Sequence, residues 1–389
     1  MIVPSLLEID DPHVAYAVKS SSEIRLAYRL YQIVSHPQWL RLIIPFLRWA
    51  AQMPLFHSLI RKTLYRLFIG GETIDEVLQL AQRLRRYGVY SIPDYAVERA
   101  ESESTQQKVL TEVKENIDRA ATHPEVPLVV FKLTGITGIE LPEKISLGIA
   151  SASEQKRWSY YTDQIGEVFC YAQQHNITIC VDAEETWIQP AIDALIHQYT
   201  WEFNKDFPTV MHTVQLYRRD GLEYFQWYLE ECRRRGVIGG MKLVRGAYLE
   251  KERERARRQG YPSPLHPSKA ATDRAYNRAV LMAVQHADTL KSVIATHNID
   301  SCHLAVDEMQ RLNLPVNHPN IWFSQLYGIR DNLTFALAKA GANATKYIPY
   351  GPVREVIPYL LRRMTENADA MNYASEELRL LRKAMQQQA

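Results

Sequence analysis

The apolar positions of this chain fall into two regimes. Up to about residue 88 they recur at spacings of three and four, as in AYAVKSSSEIRLAYRLYQIV and FIGGETIDEVLQLAQRLRRYG. That spacing lines one face of a 3.6-residue helix, so this segment is predicted to be helical throughout. Thr73 followed by Glu76 has the form of a capping box opening the second helix. Beyond residue 88, short apolar runs rich in β-branched residues alternate with longer helical patterns. The predicted strands are Val89–Tyr95, Leu128–Thr134, Ile177–Asp182, Val210–Leu216, Met241–Ala247, Ser292–His297, Ile321–Leu326 and Ala344–Pro349. Near-continuous apolar strands separated by helices imply a parallel sheet buried on both faces. Eight such units in about 270 residues suit an α/β fold of the (β/α)8, TIM-like class, with an open doubly wound sheet as the alternative. The predicted organisation is an N-terminal helical region over 1–88, a barrel over 89–371 and a helical tail over 372–389. The end of that tail, Gln386 to Gln388, is expected to fray.

The last predicted strand runs into YIPYGPVREVIPYLLRRMTENADAM (347–371). Gly351 and Pro352 break the strand, and a proline at the first helical position is a normal helix start. Within this helix Arg362 and Arg363 stand four and three residues before Glu366, so one carboxylate can reach both guanidinium groups. A guanidinium grips a carboxylate with two parallel hydrogen bonds, which lysine cannot reproduce. The pattern reads either as a solvated helix face or as a clamp for an acidic small molecule. The other strand ends bear on that choice, because barrel enzymes carry their chemistry at the C-terminal ends of the strands. In strand order those ends hold Asp94 and Glu98; Lys132 and Thr134; Asp182, Glu184 and Glu185; Gln215 and Tyr217; Lys242, Arg245 and Tyr248; Thr296, His297 and Asn298; Gln325 and Tyr327; Tyr347 and Tyr350. Eight polar strand ends are hard to ascribe to solvation alone.

Composition narrows the class further. A net charge of +2 implies no strong field for nucleic acid. The four cysteines, Cys170, Cys180, Cys232 and Cys302, are scattered without metal-ligand spacing and read as reduced thiols. The opening MIVPSLLEID carries acids and no basic n-region, so no targeting leader is expected. The apolar stretch Leu40 to Ile60 is interrupted by Arg41, Pro45, Arg48 and Pro54. It is too broken to span a bilayer, and reads as a pair of buried helices or as a helix lying on a membrane surface. The charge run LEKERERARRQG (249–260) is predicted to be an exposed helix laced with i,i+4 pairs, and the glycines of GVIGGMKLVRG to form a turn before a strand. No dinucleotide, P-loop, zinc-protease or nucleophile-elbow motif is present. These residues alone describe a barrel enzyme acting on a small carboxylate.

Six segments in order add a resemblance: CVDAEET (180–186), TVQLYRRD (213–220), KLVRGAYLEKERERA (242–256), ATHN (295–298), FSQLYG (323–328) and YIPYG…YLLRRMTEN (347–367). Together they resemble the proline dehydrogenase family, from about Gly71 to Ala370. The N-terminal helices are similar to those of its monofunctional, eukaryote-like members. The resemblance implies a distorted (β/α)8 barrel with FAD held non-covalently at its C-terminal mouth. It places Arg362 and Arg363 on the substrate carboxylate, with Tyr347, Tyr248 and Leu326 walling the ring. It sets Lys132 beside the substrate with Glu98 as its ion-pair partner, and Asp182 near Tyr347. It assigns Ala183, Gln215, Val244, Arg245, Gly246, Ala247, Thr296, His297 and Glu366 to the cofactor. Lys242 stands where many bacterial members have arginine near the flavin, an exchange that keeps the charge and loses the fork.

The implied activity is oxidation of L-proline to 1-pyrroline-5-carboxylate, the first step of proline catabolism to glutamate, by hydride transfer to the flavin. A quinone acceptor is implied with it, as is a peripheral membrane association. A separate pyrroline-5-carboxylate (glutamate-semialdehyde) dehydrogenase would take the product. No nucleic-acid partner is expected, and the implied location is the cytoplasm or the inner-membrane surface. Three rivals remain. A hydroxyproline dehydrogenase has a serine where this chain has Tyr347. A Schiff-base lyase or aldolase barrel would use Lys132 or Lys242. A non-enzymatic scaffold would bind no flavin.

Overall fold

The computed structural model describes residues 7–34, 36–96, 102–366 and 370–387, and the side chains of these except 34, 37–42, 359, 362–366 and 370–374. The chain divides into two compact units, Met1–Ala96 with Phe323–Ala389, and Val97–Trp322. The strands are β1 Tyr90–Tyr95, β2 Leu128–Lys132, β3 Thr178–Asp182, β4 Val210–Gln215, β5 Gly239–Val244, β6 Leu290–Ala295, β7 Ile321–Leu326 and β8 Ala344–Tyr350. In the second unit β2 to β6 pair in sequence order, all parallel. In the first unit β8 lies between β7 and β1, again parallel. First and last strands are thus neighbours, as they are when a (β/α)8 ring closes and as they are not in an open doubly wound sheet. The fold class is a (β/α)8 barrel. Almost every strand residue is buried, which is why the strands read as unbroken apolar runs.

Three local expectations need correction. Gly239 and Gly240 do not form a turn; they open β5. A side chain on Gly240 would put its Cβ 2.8 Å from the Val210 carbonyl oxygen, so glycine lets β5 approach β4 closely. The capping box at Thr73 is half made. The Thr73 hydroxyl accepts from the Glu76 amide, but the Glu76 carboxylate turns instead to the Glu72 amide at 2.7 Å. The charged helix Leu249–Gln259 is not exposed all round. Its outer face carries the expected pairs, among them Arg258–Glu254 at 2.6 Å. Its inner face buries Glu252 completely, where the carboxylate accepts from the amide and hydroxyl of Thr186, each at 2.6 Å. The last helices differ slightly in extent: Pro352 precedes the helix Val353–Glu366, and the helix Ala370–Gln387 continues into the glutamine run.

In the first unit the N-terminal helices serve as walls for two apolar clusters. Ala50, Ala51, Ile60, Leu64 and Tyr65 pack with Val353, Val356, Ile357, Leu360 and Leu361. Ala15, Tyr16, Ile24 and Ala27 pack with Leu380, Leu381 and Ala384.

Candidate active site

The second unit gathers most of the polar strand ends. Lys132 and Asp182 are the last residues of β2 and β3 and lie opposite each other in the sheet register. The Lys132 ammonium is 3.3 Å from the Asp182 carboxylate. Lys242 of β5 reaches the other oxygen of that carboxylate in a tight ion pair. One buried carboxylate is therefore shared by two buried ammonium groups. Burial is the largest single influence on the Lys242 pKa and lowers it, but the neighbouring charges, Asp182 first, together with the Asp182 hydrogen bond make the net shift upward, so the ammonium form is held.

A layer of carboxylates and amides stands behind this triad. Glu184 receives the Thr134 amide at 2.9 Å and the Thr134 hydroxyl. Thr134 is not a strand residue; it opens a short helix, Thr134–Thr137, which aims its amide at Glu184. Burial raises the Glu184 pKa to about 7, against the lowering effect of the Thr134 hydrogen bond. Gln215, the last residue of β4, donates to the Glu184 carbonyl at 2.7 Å and accepts from the Ala247 amide at 3.3 Å. It thereby ties the chain after β3 to the chain after β5.

Arg245 is a second hub. Its guanidinium donates to Asp273 at 2.7 Å, to the Thr296 hydroxyl at 2.6 Å and to the Ser301 hydroxyl at 3.0 Å, and lies over the Tyr276 ring at 4.2 Å. Sequence reasoning missed Asp273, Ser301 and Tyr276. They sit on helices well separated in sequence from Arg245, and only Asp273 carried a local signal, its i,i+4 pair with Lys269. Gly246 follows with φ of +136°, and a Cβ there would lie 2.4 Å from the Tyr217 ring. Only glycine fits that position. Tyr248 is buried beside the start of the helix Leu249–Gln259. Ala183 and Val244 stand at the ends of β3 and β5, and His297 directly follows Thr296 after β6. The donors along these strand ends (ammonium, guanidinium, hydroxyl, carboxamide and backbone amide) with a side-chain-free backbone at Gly246 suit a cofactor that is anionic and broad. FAD has that chemistry, and the residues fit it.

The first unit holds the other predicted residues. Leu326 ends β7 and lies opposite Tyr347 of β8 in the sheet register, and the Tyr347 carbonyl accepts the Tyr327 amide at 2.9 Å. Tyr347 is buried. Arg362, Arg363 and Glu366 belong to the helix Val353–Glu366, but their side chains lie outside the described residues, and so does the whole of Glu98. One further cluster has no local signature in the sequence: Asp331 sits between Lys19 and Lys346, with a 2.7 Å ion pair to Lys346.

Parallel barrel strands that end in buried lysines, an arginine hub and a glycine cradle define a barrel enzyme with a site for an anionic ligand. The model of the proline dehydrogenase family matches residues 77–376. The chain belongs to the proline dehydrogenase family, whose members are flavin-dependent oxidoreductases. It is 35% identical over 327 residues to the carbapenem antibiotics biosynthesis protein CarD of Pectobacterium carotovorum subsp. carotovorum, covering 82% of this chain and 83% of that protein. It is 40% identical over 214 residues to human mitochondrial proline dehydrogenase 1, covering 54% of this chain and 36% of that one. Bovine hydroxyproline dehydrogenase is 29% identical over 419 residues, covering 94% of this chain and 90% of that one. The crystal structure of proline utilization A from Bdellovibrio bacteriovorus inactivated by N-propargylglycine superposes with a TM-score of 0.73 at 20% identity. That match covers 90% of this chain and 41% of the solved one, so this chain spans less than half of the larger protein. At that identity the likeness concerns the fold.

Proposed function

We propose that this protein oxidises L-proline to 1-pyrroline-5-carboxylate with non-covalently held FAD, and passes the electrons to a quinone. The observation that carries the reading is the family match over residues 77–376, coinciding with the Lys132–Asp182–Lys242 triad at the strand ends. FAD, when bound, supplies the two-electron acceptor. Arg245, Thr296, Gln215, Gly246 and Ala247 are the residues suited to hold it, with Ala183, Val244, His297 and Glu366 assigned by resemblance.

The protein's own groups bind and orient the substrate. Arg362 and Arg363 take the carboxylate, which fixes the ring for reaction. Tyr347, Tyr248 and Leu326 wall it. The ring amine must be neutral to release a hydride, and the positive charges of Lys132 and Lys242 disfavour its ammonium form. Asp182 holds both lysines in place and acts as an orienter; no residue is assigned as an obligatory base. Hydroxyproline oxidation is the second reading, favoured by the long alignment with the bovine hydroxyproline dehydrogenase. Tyr347, in place of serine, weighs for proline. In this reading the product passes to a separate pyrroline-5-carboxylate dehydrogenase, and a quinone acceptor fits a cytoplasmic protein lying at the inner-membrane surface.

Turnover with a soluble electron acceptor tests the reading. L-proline should be converted to a product lighter by two hydrogens, and acid precipitation should release FAD into the supernatant. A yellow pellet would mean covalent flavin. A folded, colourless protein that cannot be loaded with FAD would contradict the reading, as would borohydride trapping of substrate on Lys132 or Lys242.

A further inference from the structure

We infer that the helix pair Pro37–Gln52 and Pro54–Ile60 is the surface by which this protein rests on an anionic lipid bilayer. The two helices meet at Met53, which is extended because Pro54 follows it. Their inner face is committed to the fold: Ala50, Ala51 and Ile60 pack in the core beside Val356 and Ile357. Their outer face is apolar and open. Leu55 is 85% exposed and Leu59 58%, and Phe46, Trp49 and Met53 are exposed as well. Phe46, Trp49 and Phe56 touch ring to ring across the bend, with centroids 5.3–6.0 Å apart, so the two helices share one patch. Scattered exposed apolar side chains are ordinary, but six of the twelve large ones among the described residues fall between Ile33 and Leu59.

Charge selects the occupant. The chain as a whole is nearly balanced, with 46 basic and 44 acidic residues. Yet from Ile24 to Gly71 it contains no Asp or Glu and carries Arg25, Arg29, Arg41, Arg48, Arg61, Lys62 and Arg66. Arg61 is paired with Glu72 and Glu76, and Arg66 faces Glu23. Arg48 and Lys62 stand exposed, the one beside Trp49 in the first helix and the other two residues past the end of the second. Apolar and aromatic side chains in the middle of a cationic stretch match acyl chains beneath phosphate headgroups. Among the described residues no helix is long and apolar enough to cross a membrane, so the pair lies on the surface rather than spanning it. The quinone acceptor proposed above gives this surface its purpose, and in that respect the inference rests on that reading.

Flotation of the full-length protein with lipid vesicles tests it. Wild type should float with vesicles of mixed phosphatidylglycerol and phosphatidylcholine, more weakly with pure phosphatidylcholine, and less at high salt. The combined Trp49→Ser, Leu55→Ser and Leu59→Ser variant should lose about tenfold or more of that binding, because three buried apolar side chains are removed from the contact. Its proline turnover with a soluble acceptor should be unchanged. Should that variant misfold, the Arg48→Glu, Lys62→Glu variant decides, with the same loss expected on anionic vesicles only. No vesicle binding by wild type, or binding retained by both variants, would overturn the inference. So would a dimer in sedimentation that the triple variant dissociates, which would make the patch an interface between copies. Absence of proline turnover with the soluble acceptor would count against the proposed function and leave the flotation result standing.

Discussion

Each of the two units holds one aspartate between two lysines, and the two arrangements do different work. In the second unit Asp182 stands between Lys132 and Lys242. All three arise from barrel strands, and two of them end adjacent strands in register. In the first unit Asp331 stands between Lys19 and Lys346. Here the three come from the N-terminal segment, the start of the helix Asp331–Lys339 and the interior of β8. Lys346 is only 1% exposed and donates as well to the carbonyls of Leu326 and Ile329, at 3.3 and 2.7 Å. The pKa shifts point opposite ways. Burial is the largest single influence on both lysines; for Lys242 the charge and hydrogen bond of Asp182, with Cys180, together outweigh it, and for Lys346 it prevails over Asp331. The Asp331 cluster is a staple that fastens distant segments of chain. The Asp182 cluster holds charge at the end of a barrel where chemistry is done. Composition does not separate the two; placement does.

That difference predicts different effects of mutation on activity. Asp331→Asn takes the carboxylate from between the buried Lys346 and the half-buried Lys19, and should cost on the order of 3–5 kcal/mol of stability. Chemical denaturation would read the loss, and kcat per folded molecule should change little. Asp182→Asn removes the carboxylate from between Lys132 and Lys242 and should be destabilising for the same reason, and it should in addition lower kcat/KM for proline by about tenfold or more. It should also add an alkaline limb to the pH profile, since burial would then lower the Lys242 pKa without the Asp182 charge to oppose it. Equal stability losses with equal activity losses would erase the distinction.

Glu184 sharpens the same contrast through pH. Its folded pKa of about 7 lies above the ordinary 4.5, so the folded protein binds more protons in that interval. Stability from this group is present below about pH 4.5 and is lost as pH rises through 7, by roughly 3 kcal/mol. Glu184→Gln should flatten that part of the melting-temperature profile between pH 5 and 8. An unchanged slope would show that Glu184 is ionised throughout.

Arg362→Met and Arg363→Met should each lower kcat/KM about ten- to a hundredfold with flavin retained, at roughly 1.5–3 kcal/mol per charge-assisted hydrogen bond. An exposed helix face would give changes under about threefold. The smallest effect is expected from Tyr347→Ser, which should shift the kcat/KM ratio toward hydroxyproline. A ratio that stays put would remove Tyr347 from that part of the site.

The barrel was legible because its strands are buried on both faces and so read as apolar runs of the right length. The strand-end residues were legible through their position alone: Lys132, Asp182 and Lys242 could be named before their shared ion pair was seen. What lay hidden depended on contacts distant in sequence. Lys19 and Asp331 are 312 positions apart, and nothing in either neighbourhood announces the pair. Glu252 was hidden differently, since a charged helix shows its pattern of exposed pairs and conceals the one glutamate that turns inward. The glycines of β5 misled because the close approach of β4 is a property of the sheet, not of the local sequence.

The central claim is that this barrel holds a flavin which proline reduces. The most direct test is the visible spectrum of the purified, FAD-loaded protein before and after anaerobic addition of L-proline. The account predicts an oxidised flavin spectrum that bleaches on proline and returns when a quinone is added. A flavin spectrum indifferent to proline under those conditions, or a folded protein that takes up no flavin, would contradict it.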